Sequence, residues 1–171
     1  LGMTEGGTRP VNPRLEVNGE FQIVNGFPPD IFTDEAVRWL RLIDLAKPFC
    51  LCVHYREPHA AWLPVRDEDW EPFATLDPTI PNPGYPKLDV PKVKKMTREY
   101  LASTHSVDRN VGNLRGELQR LGVDERTVVI YSADHGYNMG HNGIWHKGNG
   151  HWVLTENPPA TENIPAGQRP N

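Results

Sequence analysis

Two stretches of the chain carry a clear hydrophobic period, and most of the remainder carries little. Ala36, Trp39, Leu40, Ile43 and Ala46 recur at helical spacing behind Thr33, with Asp34 and Glu35 placed to meet the positive end of a helix. This pattern predicts a helix capped by Thr33 and ended by Lys47 and Pro48. Farther on, Val93, Met96, Tyr100, Val107, Val111, Leu114, Leu118 and Leu121 form one stripe, with Ser103 and Thr104 in its gap. Pro91 opens that second helix, and Gly122 closes it from the position just past its end. Residues 49–54 and 127–133 are short apolar runs that predict buried strands, the first apolar on both faces and so central in a covered sheet. Strand, loop, helix and strand in that order make a right-handed crossover, so the two strands are expected to be parallel. Residues 54–59 would then share one sheet rim with Asp134 and His135. The expected fold class is α/β, a mostly parallel sheet flanked by helices.

The aperiodic segments set the limits of that core. Residues 1–30 are rich in Gly, Pro and Asn and read as surface loop, apart from one strand-like stretch at 21–24. Residues 56–90 hold seven prolines and read as a long loop, functional or disordered. Residues 155–171 lack periodicity. Residues 1–171 therefore read as one domain, with 31–154 as its α/β core. Cys50 and Cys52 stand two apart on the same predicted strand and read as small buried core residues. Trp62 and Trp70 read as packing residues, with stacking on a sugar or aryl ring as the alternative.

Charge and composition exclude several classes. A net charge of −4 with interleaved signs offers no basic stripe for nucleic acid. No apolar run approaches the ~20 residues of a membrane-spanning helix. The chain opens on Leu1, which suggests a mature product or a piece of something larger.

The segment with most chemistry is VVIYSADHGYNMGHNGIWHKGNG, residues 128–150. It starts as a strand pattern and breaks into Asp134, His135 and Gly136. A glycine-punctuated loop follows, carrying His141, His146 and Lys147. In an open α/β sheet the ligand crevice lies beyond the carboxyl ends of the strands, so an acid, an imidazole and a cation there suit a metal and an anion. His135, His141, His146 and His151 are irregularly spaced and come with no thiol, which argues against a dedicated zinc site.

This segment, together with YLASTHSVDRNVGNLRGELQRLG and PFCLCVHYREPHAAWLP, resembles the middle of a sulfatase, in the alkaline-phosphatase-like superfamily. The resemblance implies that Asp134 and His135 are metal ligands, most often for calcium, although the imidazole also admits manganese or zinc. It implies that Lys147 contacts the sulfate group, that His59 acts near the leaving-group oxygen, and that His146 lies at the substrate edge. The family places proline where Ala61 stands, so the His59 loop is expected to be less tightly fixed. The family's formylglycine arises from a C/S-x-P-S/A-R motif, and neither that motif nor an early Asp-Asp pair is present. The chain therefore reads as an internal fragment, inactive alone, whose N- and C-terminal domain parts lie elsewhere. The expected activity is metal-dependent hydrolysis of a small-molecule or carbohydrate sulfate ester. A phosphonate or phosphodiester hydrolase of the same superfamily and a non-catalytic sulfatase-like protein are the alternatives. Export is common in the family, but no residue here identifies a compartment.

Overall fold

Two prolines, and not Thr33, start the first helix. The structure, a computed structural model, describes residues 9–147. There α1 spans Pro28–Leu40 behind Phe27, whose φ of −92° and ψ of 137° lie outside the helix. Proline leaves no N–H unpaired in a first turn, and its fixed φ already suits the helix. Thr33 lies one turn inside, 2% exposed, and its hydroxyl hydrogen-bonds the Tyr55 hydroxyl at 2.7 Å. The helix also ends earlier than its apolar spacing suggested. After Leu40 the chain turns, with the Arg41 N–H donating to Val37 and the Leu42 N–H to Trp39.

The long second helix forms much as its stripe predicts. It is preceded by a short one, α2 at Asp67–Ala74, which puts Asp67, Glu68 and Asp69 in its first turn. The long helix, α3, spans Val90–Arg120. Gly122 takes φ +67°, its N–H donates to Gln119 at 2.9 Å, and the Val123 N–H donates to Leu118 at 3.0 Å. This paired closure satisfies two terminal carbonyls and turns Val123 inward. Val123, Leu118 and Leu40 form a buried cluster, against which Trp39, Phe49, Leu51 and Leu114 pack. Each such side chain stabilises the fold by roughly 1.5–3 kcal/mol when fully buried.

Among the described residues the one sheet is an antiparallel hairpin, β1 at Arg14–Val17 and β2 at Glu20–Ile23. Val17 pairs with Glu20 across Asn18 and Gly19, both at positive φ, the backbone that a tight two-residue hairpin turn requires. Within the stretch expected to be loop, Arg14–Val17 and Glu20–Ile23 thus form an ordered hairpin that buries Leu15 completely.

Residues 49–54 and 127–133 carry no sheet ladder. In the first, burial alternates: Phe49 and Leu51 pack on the core, while Cys50 and Cys52 are exposed free thiols on the other side. The two cysteines share a face, as their spacing requires, but that face is not the buried one. Val128 and Ile130 are 86% and 84% exposed, so neither apolar run is covered on both faces.

The described residues divide into two compact units, 9–75 with 99–130 and 76–98 with 131–147. The first holds the hairpin, α1, α2 and the cluster around Leu40. The second is organised on buried Ile80 and Val93, with Leu88, Val90, Met96 and Trp145 packed against them.

Candidate active site

In the second unit, residues 137–147 fold back on themselves. Met139 N–H donates to Trp145 at 3.3 Å, and Gly140 N–H donates to Ile144 at 2.8 Å. The Asn138 amide also donates to the His146 carbonyl. Gly140 has φ +101°, and a Cβ there would meet Val93 Cγ1 at 2.8 Å. Only glycine lets this backbone approach the helix so closely. Trp145 packs on the unit's core and stacks on Tyr137 at 6.2 Å with 7° between ring planes. The His146 ring stands edge-on to Trp145 at 5.0 Å and to Tyr137 at 5.9 Å. The loop is anchored on three aromatic rings, and Lys147 follows directly.

Asp134 opens this region on an exposed turn, its side chain 83% accessible. One carboxylate oxygen accepts the His135 N–H at 2.9 Å, and the other lies 3.3 Å from His135 Nε2. The His135 N–H bond, with smaller contributions from the charges of His135 and Lys147, holds the Asp134 carboxyl below its ordinary range. Asp134 and His135 are thus in direct contact, and the Lys147 charge adds a small effect on the same carboxyl. Among the described residues no third His, Cys, Asp or Glu completes a metal-binding group with them. A hard divalent cation takes six or more oxygens, so this acid and imidazole suit part of its shell. His141 is exposed at the loop tip. His151 lies outside the described residues.

His59 belongs to the first unit, in a loop whose Glu57–Pro58 and Ala60–Ala61 peptides are cis. His59 Nδ1 lies 2.6 Å from the Ala60 carbonyl, which can only accept, so Nδ1 carries the proton and the neutral ring's lone pair falls on Nε2. The Trp62 indole N–H donates to Pro58 at 2.9 Å, and Arg56 donates to Ala60 at 2.6 Å. The loop that Ala61 was expected to leave slack is tied by these side chains. Trp62 is buried and meets Tyr100 edge-on, as a packing residue should.

Next to it lies a charge network that the sequence did not disclose. Arg109 donates to both Asp69 oxygens at 3.0 and 2.7 Å and to Asp30 at 2.9 Å. Arg66 and Asn110 also donate to Asp30, at 2.7 and 3.0 Å. His105 Nδ1 lies 2.9 Å from Asp69, which is fully buried. Burial alone would raise the Asp30 carboxyl, but hydrogen bonds from Asn110, Arg66 and Arg109 outweigh it and leave it below 3.8. The bonds to Asp69 and Asp30 outweigh burial at Arg109 and raise its guanidinium far above the ordinary range. Glu57 is the contrast: its side chain is 7% exposed, one oxygen has no hydrogen-bond partner, and burial raises its carboxyl above 4.5. No sequence signal links these residues, which stand up to 80 positions apart.

A family model described as Sulfatase matches residues 7–159, and the chain belongs to the sulfatase family. It is 22% identical to an N-acetylglucosamine-6-O-sulfatase of Bacteroides thetaiotaomicron over 80% of this chain and 38% of that protein. It is 34% identical to an endo-4-O-sulfatase of the same organism over 56% of this chain and 20% of that protein. It is 26% identical to human iduronate 2-sulfatase, covering 74% of this chain and 28% of that enzyme. A protein solved in complex with its substrate D-glucosamine-2-N,6-O-disulfate superposes with a TM-score of 0.73 at 18% identity, covering 81% of this chain and 43% of that one. A second solved structure, from B. thetaiotaomicron glycosaminoglycan metabolism, gives 0.67 at 26% identity over 80% of this chain and 30% of that one. The fold is the alkaline-phosphatase-like α/β fold of sulfatases. The chain spans less than half the length of each of these relatives.

Proposed function

We propose that this chain carries charge-stabilising and proton-donating side chains of a sulfuric ester hydrolase acting on a sulfated small molecule or carbohydrate. The observation that carries the reading is the Asp134–His135 contact on an exposed turn, followed by a loop held by Trp145 and Tyr137 that ends at Lys147, in a chain of the sulfatase family. The sulfated glucosamine bound by a structural neighbour supports the carbohydrate class.

Lys147 supplies a compact positive charge for the sulfate oxygens, where negative charge grows as the ester bond breaks. His59, its proton fixed on Nδ1 when neutral, takes up a second proton at Nε2 and delivers it to the departing alcohol oxygen. His146, held edge-on by the two aromatic rings, lines the substrate edge beside Lys147. Asp134 and His135 would hold part of the shell of a divalent cation, calcium by the family resemblance, with manganese or zinc admitted by the imidazole. That ion, when bound, supplies a fixed positive charge to the sulfate.

Side-by-side kinetics of the intact protein on a sulfate monoester and a phosphate diester test the reading, with turnover of the sulfate ester expected to be the faster. His59→Ala should lower sulfate turnover by roughly 10²–10⁴-fold for an alkyl alcohol leaving group. The loss should be smaller for an activated aryl leaving group, which needs less protonation. Faster diester turnover, or equal losses on both leaving groups, would overturn it.

A further inference from the structure

Arg56 stands three positions upstream of His59 and contacts the same short loop. Arg56 is nearly buried, its side chain 10% exposed, yet it is not neutralised by a close carboxylate: Glu57 Oε1 is 4.0 Å from Nη1. The guanidinium turns back onto its own loop. Nη2 donates to the Ala60 carbonyl at 2.6 Å, and Nη1 approaches the His59 carbonyl at 3.4 Å. The Arg56 carbonyl in turn accepts the His59 N–H at 2.9 Å. The Ala60 oxygen that Arg56 holds also accepts His59 Nδ1–H.

A carbonyl oxygen has two lone pairs, and two strong donors occupy the Ala60 oxygen. With the guanidinium fixing that oxygen in place, the imidazole can satisfy it only with Nδ1 protonated. The planar fork of arginine presents two N–H groups at a fixed spacing to the neighbouring His59 and Ala60 carbonyls, whereas a lysine ammonium offers freely rotating donors from a single point. We propose that Arg56 is a positioning residue for His59: by clamping the Ala60 carbonyl it locks the ring orientation and the Nδ1–H tautomer, which leaves Nε2 as the ring's basic nitrogen. The catalytic consequence rests on the leaving-group role proposed for His59; the tautomer itself does not.

The test is a two-bond ¹⁵N–¹H correlation spectrum of the intact, histidine-labelled protein, at a pH where His59 is neutral and with its signals assigned by loss in His59→Ala. The wild-type protein should show His59 with its proton on Nδ1 alone. Arg56→Met should give a mixture of tautomers and a kcat loss on the order of 10²-fold with KM little changed, the cost of a misplaced reacting group. Arg56→Lys, which keeps the charge without the fork, should fall between and recover part of kcat. A wild-type proton on Nε2, or a pure Nδ1–H tautomer in folded Arg56→Met, would overturn the proposal. Should Arg56→Met fail to fold, Arg56→Lys decides: a reduced Nδ1–H population supports the clamp and an unchanged one overturns it. A tautomer shift with unchanged kcat supports the clamp and removes His59 from the chemistry.

Discussion

The Asp30–Asp69 network of the first unit and the Asp134 turn of the second handle charge in opposite ways. In the first, Asp69 is completely buried and its oxygens, like those of Asp30, are occupied by the donors of Arg109, Arg66, Asn110 and His105. In the second, Asp134 and His135 stand on an open turn within the field of Lys147. Buried ions must be fully bonded or the fold loses stability, so their valence is used up in holding α1, α2 and α3 together. Exposed charges cost little to keep incompletely bonded and can still engage a ligand. The first arrangement is architecture and the second is available for chemistry. Their responses to substitution should differ accordingly.

The largest stability effect is expected at Asp69→Ala. It leaves Arg109 in a partly buried site without its two-pronged partner, a loss of about 3–5 kcal/mol in urea-induced unfolding. The mirror test in the second unit is Gly140→Ala. A Cβ 2.8 Å from Val93 and a backbone at φ +101° should cost about 1–3 kcal/mol, readable in the same unfolding curve, through overpacking at the anchor of the loop.

Smaller and of opposite sign are two pH effects inside the first unit. Asp30 has a folded-state pKa below 3.8, so its stabilisation is present above that value and is lost as the pH falls through the folded value. Thermal melts should show acid destabilisation that Asp30→Asn abolishes, along with part of the baseline stability. Glu57 lies above 4.5, so the folded state holds a proton that the unfolded chain has released, and stability declines as pH rises through 4.5 toward the folded value. Glu57→Gln should therefore raise Tm slightly at neutral pH, with the gain vanishing below 4.5.

What the sequence disclosed follows the range of the interaction. The long helix was legible because its stripe and Gly122 are local signals, and each turn of helix repeats the first. The candidate residues between Asp134 and Lys147 could be proposed together because they lie within 14 consecutive positions. The hairpin had a local signal too, Asn18–Gly19 between alternating residues, obscured by the surrounding glycine and proline. The start of α1 was misplaced because Thr33 offers a plausible cap, while Pro28 and Pro29 look like loop until a helix is seen to follow them. Helix α2 left no apolar period: its one buried residue is Asp69, whose burial is set by Arg109 forty positions away. No reading of local pattern finds such a partner. The apolar runs at 49–54 and 127–133 have strand composition, but a ladder depends on neighbours that composition does not name.

The division between architecture and chemistry is tested most directly by measuring turnover and thermal stability together in Lys147→Ala of the intact protein. The account predicts that sulfate-ester turnover falls by about 10²-fold or more while the unfolding free energy stays within ~0.5 kcal/mol of wild type. Undiminished turnover, or a loss of activity accompanied by a collapse in stability, would contradict it.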